Sequence, residues 1–377
     1  MSKLSELINK LCPNGVEYKK LGEIVEINKG EQLNKQMLLE SGNYPVINGG
    51  VNPSGYWDKY NKEANLITIS QGGASAGYVN WQRTRFWAGA HCFVLENPSD
   101  FILYRYLYFV VKKNESVLMG SQIGAGIPSL SAKTVSDLSI PLPPLEIQRE
   151  VVEILDKFAQ LTAELTAELQ KRKKQYEHYR DMLLNFTGGG INCEFSCEWK
   201  QLGEICEMKR GRVISKDYLR ENEGIYPVYS SQTLNEGIFG YISSYDFDGE
   251  YLTWTTDGAN AGAIFYHNGK FSITNVCGLL KPKYDAVAIK YLFYWLQKEA
   301  RKHVSSGMGN PKLMSNTVAS ISIPLPPLAE QERIVSILDR FDSLCNSLTE
   351  GLPAEIALRK KQYEYYRDKL LDFEKAG

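Results

Sequence analysis

Apolar side chains recur every three or four residues along two long stretches of the chain, and this spacing predicts helices. The first stretch starts after the Pro143-Pro144 pair and runs to Phe186. No glycine or proline interrupts residues 145–187, so one helix of roughly 64 Å is expected, at ~1.5 Å per residue. A helix of this length cannot be covered by one small domain, so we expect it to pair with a second helix.

The second stretch repeats the first near the end of the chain. Residues 140–158, IPLPPLEIQREVVEILDKF, return at 323–341 as IPLPPLAEQERIVSILDRF, at an offset of 183. The segment RKKQYEHYRDMLLNF returns as RKKQYEYYRDKLLDF at an offset of 187. Gly351 and Pro353 fall within the second helix, and an interior proline removes a hydrogen bond, so a kink or short break is predicted there.

The two helices are predicted to form an antiparallel coiled coil, because the chain must return through a globular domain between them. Their seam follows heptad spacing with one stutter. The seam residues are Val151, Ile154, Phe158, Leu165, Tyr176 and Leu183 in the first helix, and Ile334, Ile337, Phe341, Leu348, Tyr363 and Leu370 in the second. The alternative is two unrelated surface helices, each packed on its own domain.

Weaker repeats lie upstream of each helix and indicate a duplicated domain. YKKLGEIVEINKG from Tyr18 matches WKQLGEICEMKRG from Trp199, and ITISQGGASAG from Ile67 matches LTWTTDGANAG from Leu252. Short apolar runs between Gly-, Asn- and Ser-rich turns predict mixed, strand-led α+β domains. We therefore expect a pseudo-twofold chain with similar domains at 1–143 and 188–326, and spacer helices at 144–187 and 327–377.

Composition limits the function classes. The 377 residues include 43 basic and 44 acidic side chains, which argues against a surface that binds nucleic acid throughout but allows local basic patches. The sequence has no apolar N-terminal leader and no bilayer-spanning apolar run, so a cytoplasmic protein without membrane contact is expected. Seven scattered cysteines and four dispersed histidines favour reduced thiols and no metal site.

Basic and amide side chains cluster at the predicted turns, where they could contact DNA. Arg and Lys bind phosphate or guanine, whereas Asn and Gln suit adenine. The candidate DNA-binding residues are Lys29, Gln71, Arg83, Arg85, Ser121 and Gln122 in the first domain, and Lys209, Arg210, Arg212, Thr256, Asn260, Ser306 and Lys312 in the second. For any one of them the alternative is a solvated loop side chain.

Motifs for catalysis are missing from the sequence. It contains no GxxxxGK[ST] phosphate loop and no GxGxxG, HExxH or GxSxG motif. The Pro-Leu-Pro-Pro runs lack the polar residue of the adenine methyltransferase motif that they superficially resemble. We therefore expect a chain that is not itself an enzyme.

Two variable domains, each followed by IPLPPL with Gln148 or Gln331 and by a helix ending in RKKQYE, resemble the specificity subunit of type I restriction–modification systems. The likeness covers the whole chain. It implies that each domain recognises one half of a split, asymmetric DNA site, and that the helices set the spacing and bind two modification (methyltransferase) subunits. It also implies restriction subunits, with S-adenosylmethionine, ATP and Mg on the partners and no cofactor on this chain.

Two alternatives remain open from the sequence. One is a duplicated coiled-coil scaffold that does not bind DNA. The other is the specificity subunit of a fused restriction–methylation enzyme that cuts on both sides of its site.

Overall fold

The computed structural model describes residues 3–123, 128–186, 197–305, 310–347 and 349–377. The chain divides into two compact units. Unit one contains Met1–Leu165 together with Ile356–Gly377, and unit two contains Thr166–Glu355. No helix in the described ranges combines the length and apolar character needed to span a bilayer.

Unit one is an α+β domain built on a four-stranded antiparallel sheet. Its elements are α1 (Lys3–Leu11), β1 (Glu17–Lys20), α2 (Leu21–Ile24), β2 (Glu26–Lys29), β3 (Tyr44–Ile47), β4 (Gly55–Trp57), β5 (Leu66–Ser70), β6 (Val79–Gln82), β7 (Trp87–Ala88), β8 (Cys92–Glu96), α3 (Tyr104–Lys113), α4 (Glu115–Gly120), α5 (Ala132–Ser136), β9 (Ser139–Leu142) and the start of α6 (Leu145–Leu183). The strand orders are β2-β8-β5-β6, β4-β3-β7 and β1-β9.

The core of unit one lies between the sheet and α3. Strands β5 and β8 are nearly continuous apolar runs, LITIS and CFVLE, and such runs form strands that are covered on both faces. Helix α3 buries Tyr106, Leu107, Phe109 and Val110 in the same apolar cluster as Ile67 and Phe93. The aromatic side chains of α3 are therefore part of the core.

Unit two repeats this plan. After the end of α6 it contains β10 (Glu198–Gln201), α7 (Leu202–Ile205), β11 (Cys206–Arg210), α8 (Lys216–Glu221), β12 (Tyr226–Tyr229), β13 (Ile238–Ile242), β14 (Phe247–Thr255), β15 (Ile264–Ile273), β16 (Cys277–Pro282), α9 (Ile289–Glu299), α10 (Ser315–Ala319), β17 (Ser322–Leu325), α11 (Leu328–Asn346) and the start of α12 (Gly351–Leu370). Its sheets are β11-β16-β14-β15-β12-β13 and β10-β17. The order β11-β16-β14-β15 matches β2-β8-β5-β6, which confirms the prediction of two similar α+β domains.

The long helices differ from the prediction at their ends. Helix α6 ends at Leu183 rather than at residue 187. The second long helix is two helices, because α11 ends at Asn346 and α12 begins at Gly351. The predicted break is thus confirmed, and it precedes Pro353, which lies in the first turn of α12 where its missing N–H has no helical acceptor to lose.

In each unit, a segment of α6 packs against a segment of the second long helical stretch. In unit one, Phe158 of α6 stacks on Tyr366 of α12, with ring centroids 5.3 Å apart. In unit two, Tyr179 of α6 stacks on Phe341 of α11 at 5.5 Å. The alternative of two unrelated surface helices is therefore wrong.

The direction of the helix pair is visible in unit two. Cys345 has Arg172 and Lys173 as electrostatic neighbours, whereas Tyr179, further along α6, faces Phe341, which lies earlier in α11. The two helices therefore run in opposite directions, as in an antiparallel pair.

The predicted seam residues have different surroundings. In unit one, Val151 is buried in the apolar core, and Ile154, Tyr363 and Leu370 pack against that core. Phe158 contacts α12, and Leu165 is half-buried. In unit two, Tyr176, Leu183 and Ile334 are buried, and Ile337 and Phe341 pack against them. Leu348 lies outside the described residues.

A buried glutamine joins the start of α6 to the domain before it. Gln148 is 0% exposed. Its Nε2 donates to the carbonyl oxygens of Pro143 at 2.8 Å and Phe101 at 3.0 Å, and its Oε1 accepts from the Leu103 amide at 2.8 Å. One side chain thus satisfies three backbone groups at the place where the helix leaves the sheet.

The same arrangement recurs in unit two. Gln331 is 1% exposed. Its Nε2 donates to the carbonyl oxygens of Pro326 at 2.9 Å and Ala286 at 3.1 Å, and its Oε1 accepts from the Ala288 amide at 3.0 Å. The glutamine of the repeated motif therefore fixes each helix to its domain.

Candidate functional site

In unit one, loops from four parts of the chain meet at one end of the sheet. The amide of Gln71 donates to the His91 carbonyl at 2.8 Å, and that of Gly30 donates to the Cys92 carbonyl at 3.0 Å. The amide of Leu130 donates to the Gln71 carbonyl at 2.7 Å. We call residues 29–31, 71–77, 89–92 and 128–130 the loop platform of unit one.

Unit two builds its platform with the same backbone bonds. The amide of Thr256 donates to the Val276 carbonyl at 3.0 Å, and that of Gly211 donates to the Cys277 carbonyl at 3.3 Å. The amide of Leu313 donates to the Thr256 carbonyl at 2.9 Å. Residues 210–212, 256–262, 274–277 and 311–313 form the loop platform of unit two, so the two platforms share a backbone and differ in their side chains.

A glycine is required where the loop after the first strand of each main sheet passes close to another backbone. This loop follows β2 in unit one and β11 in unit two. A Cβ at Gly30 would overlap the Ala88 carbonyl, and a Cβ at Gly211 would overlap the Ile273 carbonyl. Only glycine allows two backbones to approach this closely. The glycine after the basic residue of each repeat therefore positions that basic residue on the platform.

Lys29 and Gln71 meet on the platform of unit one. With its amide oriented to satisfy both neighbours, Gln71 donates to the Ala90 carbonyl at 3.2 Å and accepts from Lys29 Nζ at 3.0 Å. Gln122 donates to the Ala76 carbonyl at 2.7 Å, in the 71–77 loop of the same platform. An ammonium has three hydrogens and a carboxamide has two, so Lys29 and Gln71 each keep donor capacity for a ligand.

The platform of unit two places a different set at matching positions. Arg210, which corresponds to Lys29, donates to the Asn275 carbonyl at 2.9 Å, whereas Lys29 donates to Gln71. Asn260 donates to the Ser231 carbonyl at 3.4 Å. The platform of unit two therefore presents a guanidinium from Arg210 and a carboxamide from Asn260.

Thr256 and Lys312 flank a carboxylate on the same platform. Thr256 is 0% exposed, and its hydroxyl lies 2.7 Å from Asp257 Oδ2. The other carboxylate oxygen, Oδ1, lies 3.8 Å from Lys312 Nζ. Arg210, Asn260 and Lys312 are therefore accessible on this platform, whereas the predicted DNA contact of Thr256 is wrong, because its side chain is buried beneath Asp257.

Other predicted residues lie elsewhere. Arg83 follows β6, and the register of Leu66 with Gln82 puts it at the end of the β5–β6 hairpin away from the platform. Arg85 pairs with Glu63 at 2.8 Å. Their nearness to Trp81 in sequence could not show at which end of the hairpin they would lie.

The remaining candidates differ in their surroundings. Ser121 donates to the Val117 carbonyl at 2.7 Å, so its hydroxyl points back to α4. Arg212 pairs with Asp246 at 3.0 Å, which offsets its charge. Lys209 is exposed near the end of β11, and Ser306 lies outside the described residues.

One loop of each platform region was not predicted from the sequence. In unit one, Asn48 accepts from the His91 amide at 3.0 Å. In unit two, Ser230 Oγ accepts from Thr274 at 3.1 Å. Asn48 and Ser230 follow the repeated Tyr-Pro-Val segments of β3 and β12, and the polar residues after that repeat were the signal that could have identified them.

The cysteines at the platform bases are unsuited to nucleophilic chemistry. Burial raises the pKa of Cys92 and of Cys277 to about 12, so both thiols stay protonated at neutral pH. Among the residues that the structure describes, no group of three or more His, Cys, Asp or Glu side chains is placed to hold a metal ion. The platforms offer hydrogen bonds and positive charge to a ligand.

Comparison with known proteins gives a consistent result. Residues 13–173 and 197–358 both match the family profile of the type I restriction modification DNA specificity domain. The chain is 47% identical over 307 residues to the specificity subunit of the type I restriction enzyme MpnII of Mycoplasma pneumoniae, covering 66% of this chain and 92% of that protein. It is 32% identical to a type I restriction enzyme specificity subunit of Haemophilus influenzae, covering 95% of this chain and 96% of that protein.

The fold also matches a solved structure. The crystal structure of the S subunit of a type I restriction–modification system from M. genitalium superposes with a TM-score of 0.63 at 20% identity. The match covers 94% of this chain and 95% of that chain. At this level of identity, the match shows the fold.

Proposed function

Because the chain belongs to the type I restriction–modification DNA specificity family and contains two of its recognition domains, we propose that each loop platform reads one half of a split DNA site. The support is the duplicated platform itself. Its backbone hydrogen bonds are repeated, while the positions of Lys29 and Gln71 in unit one correspond in sequence to Arg210 and the buried Thr256 in unit two. Different side chains on equal backbones predict two different half-sites and hence an asymmetric target.

The proposal gives the long helices two tasks. They hold the platforms at a set separation along the duplex, and they dock two methyltransferase subunits. Catalysis, with S-adenosylmethionine, ATP and Mg, resides on the methyltransferase and restriction partners in the cytoplasm. This chain contributes recognition, and the chemical groups described on its platforms fit that division.

Partner subunits also supply much of the contact with phosphate. The chain has a net charge of −1, and nonspecific affinity for DNA depends on neutralising phosphates with Lys and Arg. We expect the isolated chain to bind DNA weakly and to lose that binding steeply as salt rises. Tight, specific binding without partners would contradict this part of the proposal.

A domain exchange tests the independence of the two readers. Residues 1–143 are replaced by those of a relative, and the methylated motif is mapped by sequencing the genome of a host that makes the chain and its partners. One half-site should change while the other and the gap stay constant. Altered bases on both sides of the gap would contradict independent reading.

A deletion tests the spacing role. Residues 351–354 open α12 after the break, so their removal shortens the second helical segment by about one turn. The number of unspecified base pairs between the half-sites should change, with both half-sites retained. An unchanged gap in the methylation map would show that these helices do not set the spacing.

A further inference from the structure

Two opposite charges meet on the platform of unit two. Asp257 and Lys312 belong to different loops, which are joined by an antiparallel backbone bridge between these two residues. Lys312 Nζ lies 3.8 Å from Asp257 Oδ1, and their side chains are 53% and 31% exposed. Since 3.8 Å is too long for a direct hydrogen bond, both atoms keep hydrogen-bonding capacity.

The carboxylate of Asp257 is held in place by a buried hydroxyl. The Thr256 hydroxyl lies 2.7 Å from Asp257 Oδ2 and 2.9 Å from the Val276 carbonyl oxygen, and Thr256 is 0% exposed. Because Oδ2 faces this buried hydroxyl, Oδ1 is the oxygen beside Lys312. The platform therefore presents one acceptor next to one donor in a defined orientation.

Unit one shows that the scaffold does not need this pair. The matching bridge joins Gly72 to Ser129, so the same loops meet there without either charge. Exposed ion pairs also contribute little to stability. The difference between the units therefore concerns what each platform presents to its ligand.

We propose that Asp257 and Lys312 together read one guanine–cytosine base pair in the half-site of unit two. In the major groove, cytosine N4–H is a donor and lies beside the O6 and N7 acceptors of guanine. Asp257 Oδ1 accepts from cytosine N4, and Lys312 Nζ donates to guanine O6 or N7. At an adenine–thymine pair in the same position, Asp257 Oδ1 would face the thymine O4 acceptor in place of cytosine N4, and Lys312 Nζ would face the adenine N6 donor in place of guanine O6, so both contacts are lost.

This inference rests on the proposed function and is tested with the full chain and its methyltransferase partners. Methylated motifs are mapped for wild type and for Asp257→Asn, Lys312→Gln and Lys312→Arg. Asp257→Asn and Lys312→Gln should each relax one guanine–cytosine position by on the order of 10-fold, in the half-site that the exchange of residues 1–143 leaves unchanged. Lys312→Arg keeps the donor and should retain the wild-type preference.

Glu198 and Lys200 provide a matched control. They form an exposed ion pair at 3.3 Å on β10 of the same unit, outside the platform. Glu198→Gln and Lys200→Gln remove the same charges and should leave the motif unchanged.

Several results would overturn the inference while leaving the proposed function intact. They are an unchanged motif in both platform variants, relaxation at an adenine–thymine pair, or a wild-type half-site for unit two without a guanine–cytosine pair. If the platform variants methylate nothing, the wild-type complex is tested against duplexes altered at each guanine–cytosine pair of that half-site. Equal binding to all of them would then refute the assignment. Absence of any split motif in wild type would instead refute the proposed function.

Discussion

Unit two contains a buried histidine that should make it sensitive to acid. His267 on β15 is 7% exposed, its Nε2 lies 2.9 Å from Thr253 Oγ1, and its ring stacks on Tyr229 with centroids 3.7 Å apart. Burial lowers the pKa of His267 from 6.5 to about 4. We predict that His267→Gln removes much of the loss of stability of unit two below pH 6.5.

The sign follows from proton binding. Between about pH 6.5 and pH 4 the unfolded chain carries a proton on His267 and the folded unit does not, so acid favours unfolding. The contribution of neutral His267 to the free energy of unfolding of unit two is fully present above pH 6.5. It is lost as the pH falls toward the pKa of the folded state. A shift from 6.5 to about 4 corresponds to roughly 3 kcal/mol in the free energy of unfolding, at about 1.4 kcal/mol per pH unit.

Unit one indicates why glutamine is the suitable replacement. Gln82 occupies the matching position on β6 and donates through Nε2 to Thr68 Oγ1 at 2.9 Å, as His267 contacts Thr253. A glutamine at 267 should therefore keep the hydrogen bond without a titrating ring. The reverse substitution, Gln82→His, should introduce the same acid sensitivity into unit one.

Urea unfolding of the full chain between pH 7.5 and pH 4.5 measures the effect, with hydrogen exchange of peptides from each unit to assign the transition. Wild-type unit two should lose roughly 2–3 kcal/mol more than the His267→Gln variant over this range. Equal pH slopes for wild type and variant would refute the reasoning. So would a folded-state NMR titration of His267 near pH 6.5.

Three further outcomes follow from buried groups and close approaches. Gln331→Leu should lower the free energy of unfolding of unit two by roughly 3 kcal/mol, because three backbone groups lose their partner; denaturation showing a change under about 1 kcal/mol would contradict this. Gly211→Ala should weaken discrimination in one half-site of the methylation map, because its Cβ overlaps the Ile273 carbonyl; an intact motif would count against the platform geometry. Cys92 and Cys277 should resist thiol reagents at pH 8 until the chain unfolds, because burial raises the pKa of each to about 12; rapid labelling of the folded chain would disprove it.

The helices were the most predictable part of the fold. Their three-four spacing needs only local sequence, and it located α6 and the stretch of α11 and α12, while Gly351 and Pro353 predicted the break between the last two. The end of α6 at Leu183 was less predictable, because the apolar pattern continues to Phe186 beyond the last helical residue.

The candidate site was predicted in part. The repeated glycine-rich segments identified the platform loops, and hence Lys29, Gln71 and Thr256. Such loops are recognisable because backbones that approach closely require glycine. Arg83 lies away from the platform because strand register, which local sequence does not reveal, decides the end of a hairpin at which a residue lies. Asp257 was missed because its partner Lys312 is distant in sequence and meets it only through a loop bridge.

The central claim, that the two platforms read different halves of one site, is tested most directly by a pair of methylation maps. One is made with Gln71→Ala and the other with Lys312→Ala, in the full chain with its methyltransferase partners. The first variant should relax bases on one side of the gap, and the second should relax bases on the other side. Relaxation of the same half-site by both variants, or of neither half-site, would contradict the account.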